Sequence, residues 1–232
     1  MTEETPHQVY DRLWAQALDA FSTGGVRVDP HLHDPAHDMR CGMTLVARPD
    51  AAAQARLMAL IEQIQAVAPG QYFYRADELH ITVLSLISAT PDFDRAALPL
   101  DDYHTLLDSF FRHERPFRVC YQGVTASPDA VLVYGDSEGD ALNGLRDRLR
   151  AALAAAGLTG TMDKRYRLTT THSSIVRFKA MPADPPALVR LLAAVRAHDF
   201  GAFEVDQVEL TLNDWYMSHG RTEVLARYAL GE

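Results

Sequence analysis

The stretch Glu78-Leu79-His80-Ile81-Thr82-Val83-Leu84-Ser85 returns in altered form at Thr171-His172-Ser173-Ser174-Ile175-Val176-Arg177. Each copy sets a histidine two residues before a hydroxyl, inside a run rich in β-branched and aliphatic side chains, which is the composition of a strand. Side chains on a strand alternate between its faces, so His80 and Thr82 point the same way, as do His172 and Ser174. One histidine near one threonine in a strand is commonplace and reads as core or surface. Two such pairs, each late in a similar run of elements, point to a shared site.

Working outward from the first copy, Gly42 to Ala47 reads as a strand stopped by Arg48-Pro49-Asp50. Ala51 to Val67 is alanine-rich, with Leu57, Leu60, Ile61 and Ile64 along one face, and reads as a helix ended by Pro69-Gly70. Tyr72 to Tyr74 is a short strand, Leu79 to Ile87 the strand of the first motif, and Asp102 to Arg112 a second helix. Around the second copy, Phe117 to Val124 and Val131 to Tyr134 form a hairpin across Ala126-Ser127-Pro128-Asp129. Leu142 to Ala156 is a helix closed at Gly157, and Arg167 to Phe178 holds the second motif. A helix from Pro185-Pro186 through Ala197 follows, and strands at Phe203 to Leu212 and Val224 to Leu230 close the chain.

Before both lies residues 1–40, with an apolar stripe from Val9 to Phe21 at helical spacing, ended by Gly24-Gly25. This extension packs on the first lobe or lies across a cleft mouth. The loop that follows holds His31, His33 and His37 with Asp34 and Asp38, which makes it a candidate metal site. Its prolines argue instead for a polar loop or a lid. The fold class expected is α+β: two pseudo-symmetric lobes, roughly 41–115 and 116–232, each an antiparallel sheet with helices outside, around a central cleft. No glycine-rich linker divides them, so the lobes are expected to share strands within one domain, 41–232.

The two motifs, His80-Ile81-Thr82-Val83 and His172-Ser173-Ser174-Ile175, resemble those of the 2H phosphoesterases. That superfamily holds the bacterial RNA 2′,3′-cyclic phosphodiesterases once named 2′-5′ RNA ligases. The resemblance covers roughly residues 40 to 230. It implies a bilobal fold in which each lobe supplies one histidine and one hydroxyl, and it implies a 2′-phosphate product. Ser174 stands where threonine is more usual; the hydroxyl is kept, with a less fixed rotamer.

The chemistry agrees with the residue types. Cleaving a phosphodiester without metal needs one group to deprotonate the attacking oxygen and another to protonate the leaving oxygen, with donors on the phosphoryl oxygens. Imidazoles of ordinary pKa ~6.5 serve in either role, and Thr82 and Ser174 can donate to the phosphate. Which histidine is acid and which is base stays open. Arg177 lies five residues past His172 and on a regular pleat faces away from it, unless a bulge returns it. Tyr166, Arg167 and Tyr216 are candidate substrate contacts, by stacking on a base or touching phosphate, with a plain structural role as the alternative. The remaining histidines lack a paired hydroxyl and read as surface.

Charge narrows the partners. The net charge is −9, which disfavours extended duplex binding, since that draws on many phosphate contacts. A small phosphodiester, a nucleotide or an RNA end needs only a local positive pocket, and Lys164, Arg165, Arg167, Arg177 and Lys179 cluster near the second motif. No GxxxxGK loop occurs, which disfavours an ATP-driven ligase, and no cofactor is expected. Cys41 and Cys120 cannot make a disulfide framework and read as small buried thiols. No apolar run is long enough to span a bilayer, and the polar, acidic start lacks the form of a secretory signal. A cytoplasmic monomer is the expectation. The rival readings are a protein that holds a nucleotide or RNA end without cleaving it, and a metallohydrolase built on His31, His33 and His37.

Overall fold

The computed structural model describes residues 4–159 and 168–231. The chain begins with α1 (Pro6–Thr23), whose start is fixed by Thr5: its hydroxyl accepts from the Gln8 amide while Gln8 caps the Thr5 amide in return. Pro6 takes the first helical position, where a missing N–H costs nothing. Gly24, at φ 74°, turns the chain out of the helix in the left-handed region that glycine adopts without strain.

Then follow β1 (Cys41–Ala47), α2 (Ala51–Val67), β2 (Tyr72–Phe73), β3 (Ile81–Thr90) and α3 (Leu100–Phe111). The second half runs β4 (Phe117–Ser127), β5 (Ala130–Ser137), α4 (Ala141–Ala155), β6 (Thr171–Arg177), α5 (Pro185–Ala194), β7 (Gly201–Val205), β8 (Gln207–Asn213) and β9 (Glu223–Ala229). Asp50 caps α2, and the face holding Leu57, Leu60, Ile61 and Ile64 is buried. The hairpin between β4 and β5 is tighter than the sequence implied, because the strands pair down to Ser127 and Ala130 around Pro128-Asp129.

The fold is α+β with two antiparallel sheets and helices packed outside them. One sheet has four strands in the order β3-β1-β8-β9, the other five in the order β2-β6-β5-β4-β7. Neither sheet is built from one half of the sequence. β2 crosses to pair with β6, and β8 and β9 return to pair beside β1. The segment Phe203–Leu212, expected as one strand, is two: β7 lies in the five-stranded sheet, and after Asp206 the chain enters the four-stranded one as β8. A strand signal in sequence records alternation and propensity, not which sheet supplies the partner, so this change of sheet is invisible there.

One continuous apolar core joins both sheets, from Met43, Leu45 and Val83 through Val119, Val133 and Ile175 to Leu210. The first helix packs chiefly on the second half of the chain, against β4 and α5, with Tyr10 stacked on Tyr134 at 4.5 Å and Arg196 over Trp14 at 4.9 Å. Both cysteines are unpaired and half-buried, where small buried thiols were expected. Among the described residues no helix is long and apolar enough to cross a membrane.

Candidate active site

The two motif strands meet where the sheets approach each other, β3 at the edge of one and β6 beside the short edge strand of the other. They are tied together by Ser173, whose side chain points to the core between His172 and Ser174. Its hydroxyl donates to the His80 carbonyl at 2.6 Å, and since it has one proton, the Tyr121 hydroxyl 2.6 Å away must donate to it.

Both strands also bulge at the same place, one residue after the motif hydroxyl. In β3 Thr82 pairs with Val46 and Leu84 with Leu45, leaving Val83 as the extra residue. In β6 Ser174 pairs with Leu132 and Val176 with Val131, leaving Ile175. Two successive buried side chains mark each bulge, Val83-Leu84 and Ile175-Val176. An inserted residue reverses the pleat's parity, so Arg177, five residues from His172, returns to the histidine's face, and Ser85 does so relative to His80. The carbonyls released by the first bulge are taken by Arg146 of α4, which donates to Thr82 at 2.6 Å and Val83 at 3.0 Å.

The result is a cleft of about 240 Å³ lined by His80, Thr82, Ser85, His172, Ser174 and Arg177, with Tyr74, Trp215 and Tyr216 at its sides. Each ring is anchored through Nδ1 by the residue two positions earlier. His80 Nδ1 donates to the Glu78 carbonyl at 2.7 Å, and His172 Nδ1 lies 3.1 Å from the Thr170 hydroxyl. Because a carbonyl only accepts, the neutral His80 ring carries its lone pair on Nε2. The hydroxyls of Thr82 and Ser174 have no hydrogen-bond partner among the described residues. Arg177 is held by Asp129 at 2.9 Å.

The imidazoles are strongly perturbed. Loss of solvent pushes His80 down to about 4, opposed by its bond to the Glu78 carbonyl and aided by the Arg48 and Arg177 charges. Loss of solvent also pushes His172 down to about 3, helped by Arg146, Arg177 and the charge of His80 itself. Each ring therefore rests neutral, close enough to the other to feel its protonation.

Tyr216 reaches the same cleft, with its hydroxyl accepting from Arg40 at 3.0 Å. Asp214 shapes the loop that presents it, accepting from the amides of Tyr216 at 3.0 Å and Ser218 at 2.9 Å. Tyr166 and Arg167 lie outside the described residues, as do Lys164 and Arg165, and Lys179 does not line the cleft. The loop histidines part company: His33 Nε2 bonds the Lys179 carbonyl at 2.7 Å, and His37 pairs with Asp34 at 2.8 Å. Among the described residues no three His, Cys, Asp or Glu side chains gather as a metal site. The sequence reading missed Ser173, Arg146 and Tyr10. Arg146 had left a trace, a charge on the apolar face of Leu142, Leu145, Leu149 and Leu153.

Two antiparallel sheets each bring a histidine-and-hydroxyl pair to one cleft, in an α+β fold of two lobes. Residues 48–216 match the model of the 2′-5′ RNA ligase superfamily, and the chain belongs to that family. Among solved structures it is similar to the TT0787 protein of Thermus thermophilus, at 23% identity and a TM-score of 0.57, covering 82% of this chain and 99% of that one. LigT of E. coli complexed with 3′-AMP aligns at 14% identity and a TM-score of 0.59, covering 83% and 99%. A conserved protein of unknown function, ATU0111 of Agrobacterium tumefaciens, aligns at 17% and 0.60, covering 89% and 97%. No curated protein matches by sequence.

Proposed function

We propose that the protein is a phosphodiesterase that hydrolyses a 2′,3′-cyclic or related phosphodiester of a nucleotide or RNA end by two-histidine acid and base catalysis. The observation that carries this reading is the pseudo-symmetric pair, His80 with Thr82 and His172 with Ser174, on two strands bulged alike and facing one cleft. One neutral imidazole takes the proton of the attacking water as its oxygen bonds to phosphorus, while the other, protonated as the anionic substrate enters, gives its proton to the leaving oxygen as that P–O bond breaks. Thr82 and Ser174 donate to the non-bridging oxygens, and Arg177 offsets the charge that builds on them. A phosphomonoester is the product, and these steps call on no metal. E. coli LigT has been crystallised with 3′-AMP, with NADP+ and with ATP, which supports a nucleotide as the ligand class here.

The test is turnover of 2′,3′-cyclic nucleotides in EDTA. Wild-type protein is expected to give monoester, with His80→Ala and His172→Ala each lowering kcat by about 10²- to 10⁴-fold. Nucleotide binding without product would leave a binding protein, and activity abolished by chelation would restore the metal-dependent reading.

A further inference from the structure

The cleft does not end at His172. A second cavity of about 570 Å³ opens off it, sharing His172, Ser174 and Arg177 with the first and bounded by α1. Its apolar wall is Val9 and Leu13 from the helix with Ala130 and Leu132 from β5. Its charges are matched in pairs, Arg12 with Glu4 at 2.9 Å and Arg177 with Asp129 at 2.9 Å. Among the described residues the cavity therefore offers apolar surface with a polar rim and no unpaired arginine or lysine.

The main cleft holds the two imidazoles and their hydroxyls, the groups that a phosphate would meet. The side cavity, at about 570 Å³, lies within the ~300–1,000 Å³ usual for a small-molecule site. The lining described suits a largely apolar group with polar edges to meet the rim, and a nucleobase has those properties where an alkyl chain lacks the edges. The wall from α1 also lies outside residues 48–216, the part matched to the family.

We propose that this side cavity receives the base of a nucleoside whose phosphate lies between His80 and His172, so that the N-terminal helix selects nucleotides over smaller phosphodiesters. The proposal rests on the phosphodiesterase reading. It makes Val9 and Leu13 specificity determinants without any part in the chemistry.

The experiment compares kcat/KM for 2′,3′-cyclic AMP with that for ribose 2,3-cyclic phosphate, which lacks the base. Wild-type protein is expected to prefer the nucleotide by about tenfold or more. Val9→Trp and Leu13→Trp, which fill the cavity, are expected to bring that ratio to within about threefold of one. Ala15→Trp, on the exposed side of the same helix, should keep it, and thermal midpoints report whether each variant folds. A ratio that survives both filling variants overturns the proposal while leaving the phosphodiesterase reading intact. If wild-type protein turns over neither compound, that reading fails. Calorimetry then judges the cavity: adenosine 2′-monophosphate should bind more tightly than inorganic phosphate and lose the advantage in both variants, and equal binding overturns the proposal.

Discussion

At the scale of the residue, the two motif imidazoles are uncharged at neutral pH because burial takes water from them faster than any carboxylate returns a favourable charge. An anion placed between them reverses that balance and favours imidazolium. Sulfate binding should therefore take up protons and tighten as pH falls from 7 toward 4, by up to about tenfold per unit. Calorimetry in buffers of different ionisation enthalpy measures the uptake, and pH-independent affinity would contradict it. Stability carries the opposite sign. With folded values of about 4 and about 3, below the unfolded ~6.5, the unfolded chain binds more protons in that interval. The contribution is complete above ~6.5 and is lost as pH falls through the folded values. A His80→Ala/His172→Ala double variant should thus show a shallower acid-side fall in urea stability. Ser174→Thr keeps the donor and should hold kcat within about threefold, while Ser174→Ala should lower it by about 10²-fold.

At the scale of the element, the motif strands depend on bulges, and bulges need outside partners for the backbone groups they release. Arg146 supplies them for β3 and is itself buried. Arg146→Ala should lower stability by about 2–4 kcal/mol, because it leaves two carbonyls without their donor in the interior. Urea midpoints measure this, and a change under ~0.5 kcal/mol would show that the bulge does not need the guanidinium. The loop that presents Tyr216 has an equivalent brace. Glu78 accepts from the His219 amide at 2.6 Å and the Arg75 amide at 2.9 Å, while its own carbonyl orients His80.

At the scale of the whole molecule, the site exists only because two sheets are held in one relation. Ser173 spans the junction through the His80 carbonyl and Tyr121. The first helix ties in behind, its Tyr10 hydroxyl donating to the Thr171 carbonyl at 2.8 Å and accepting from the Thr171 amide at 2.8 Å. Tyr10→Phe removes both bonds from a buried position and should cost about 1–3 kcal/mol. Under the proposed mechanism it should also reduce kcat, since Thr171 precedes His172. Stability lost with kcat unchanged would mean that the helix holds the sheet without tuning the site.

The helices and most of the strands were legible in the sequence because their signals are local: the apolar face of α2, the turn at Pro128-Asp129, and the alternation that put each histidine beside its hydroxyl. That pairing also yielded the candidate site, since period-two geometry needs no knowledge of the partner strand. Other features depended on contacts between distant segments. The change of sheet at Asp206, the return of Arg177 to the cleft through Ile175, the inward bond of Ser173 and the dispersal of His31, His33 and His37 are set by register and neighbours. Local propensity does not encode these. The sequence by itself determined which groups could act together, and the tertiary structure decided which faces they share, because a strand's pattern fixes alternation while only its pairing fixes phase.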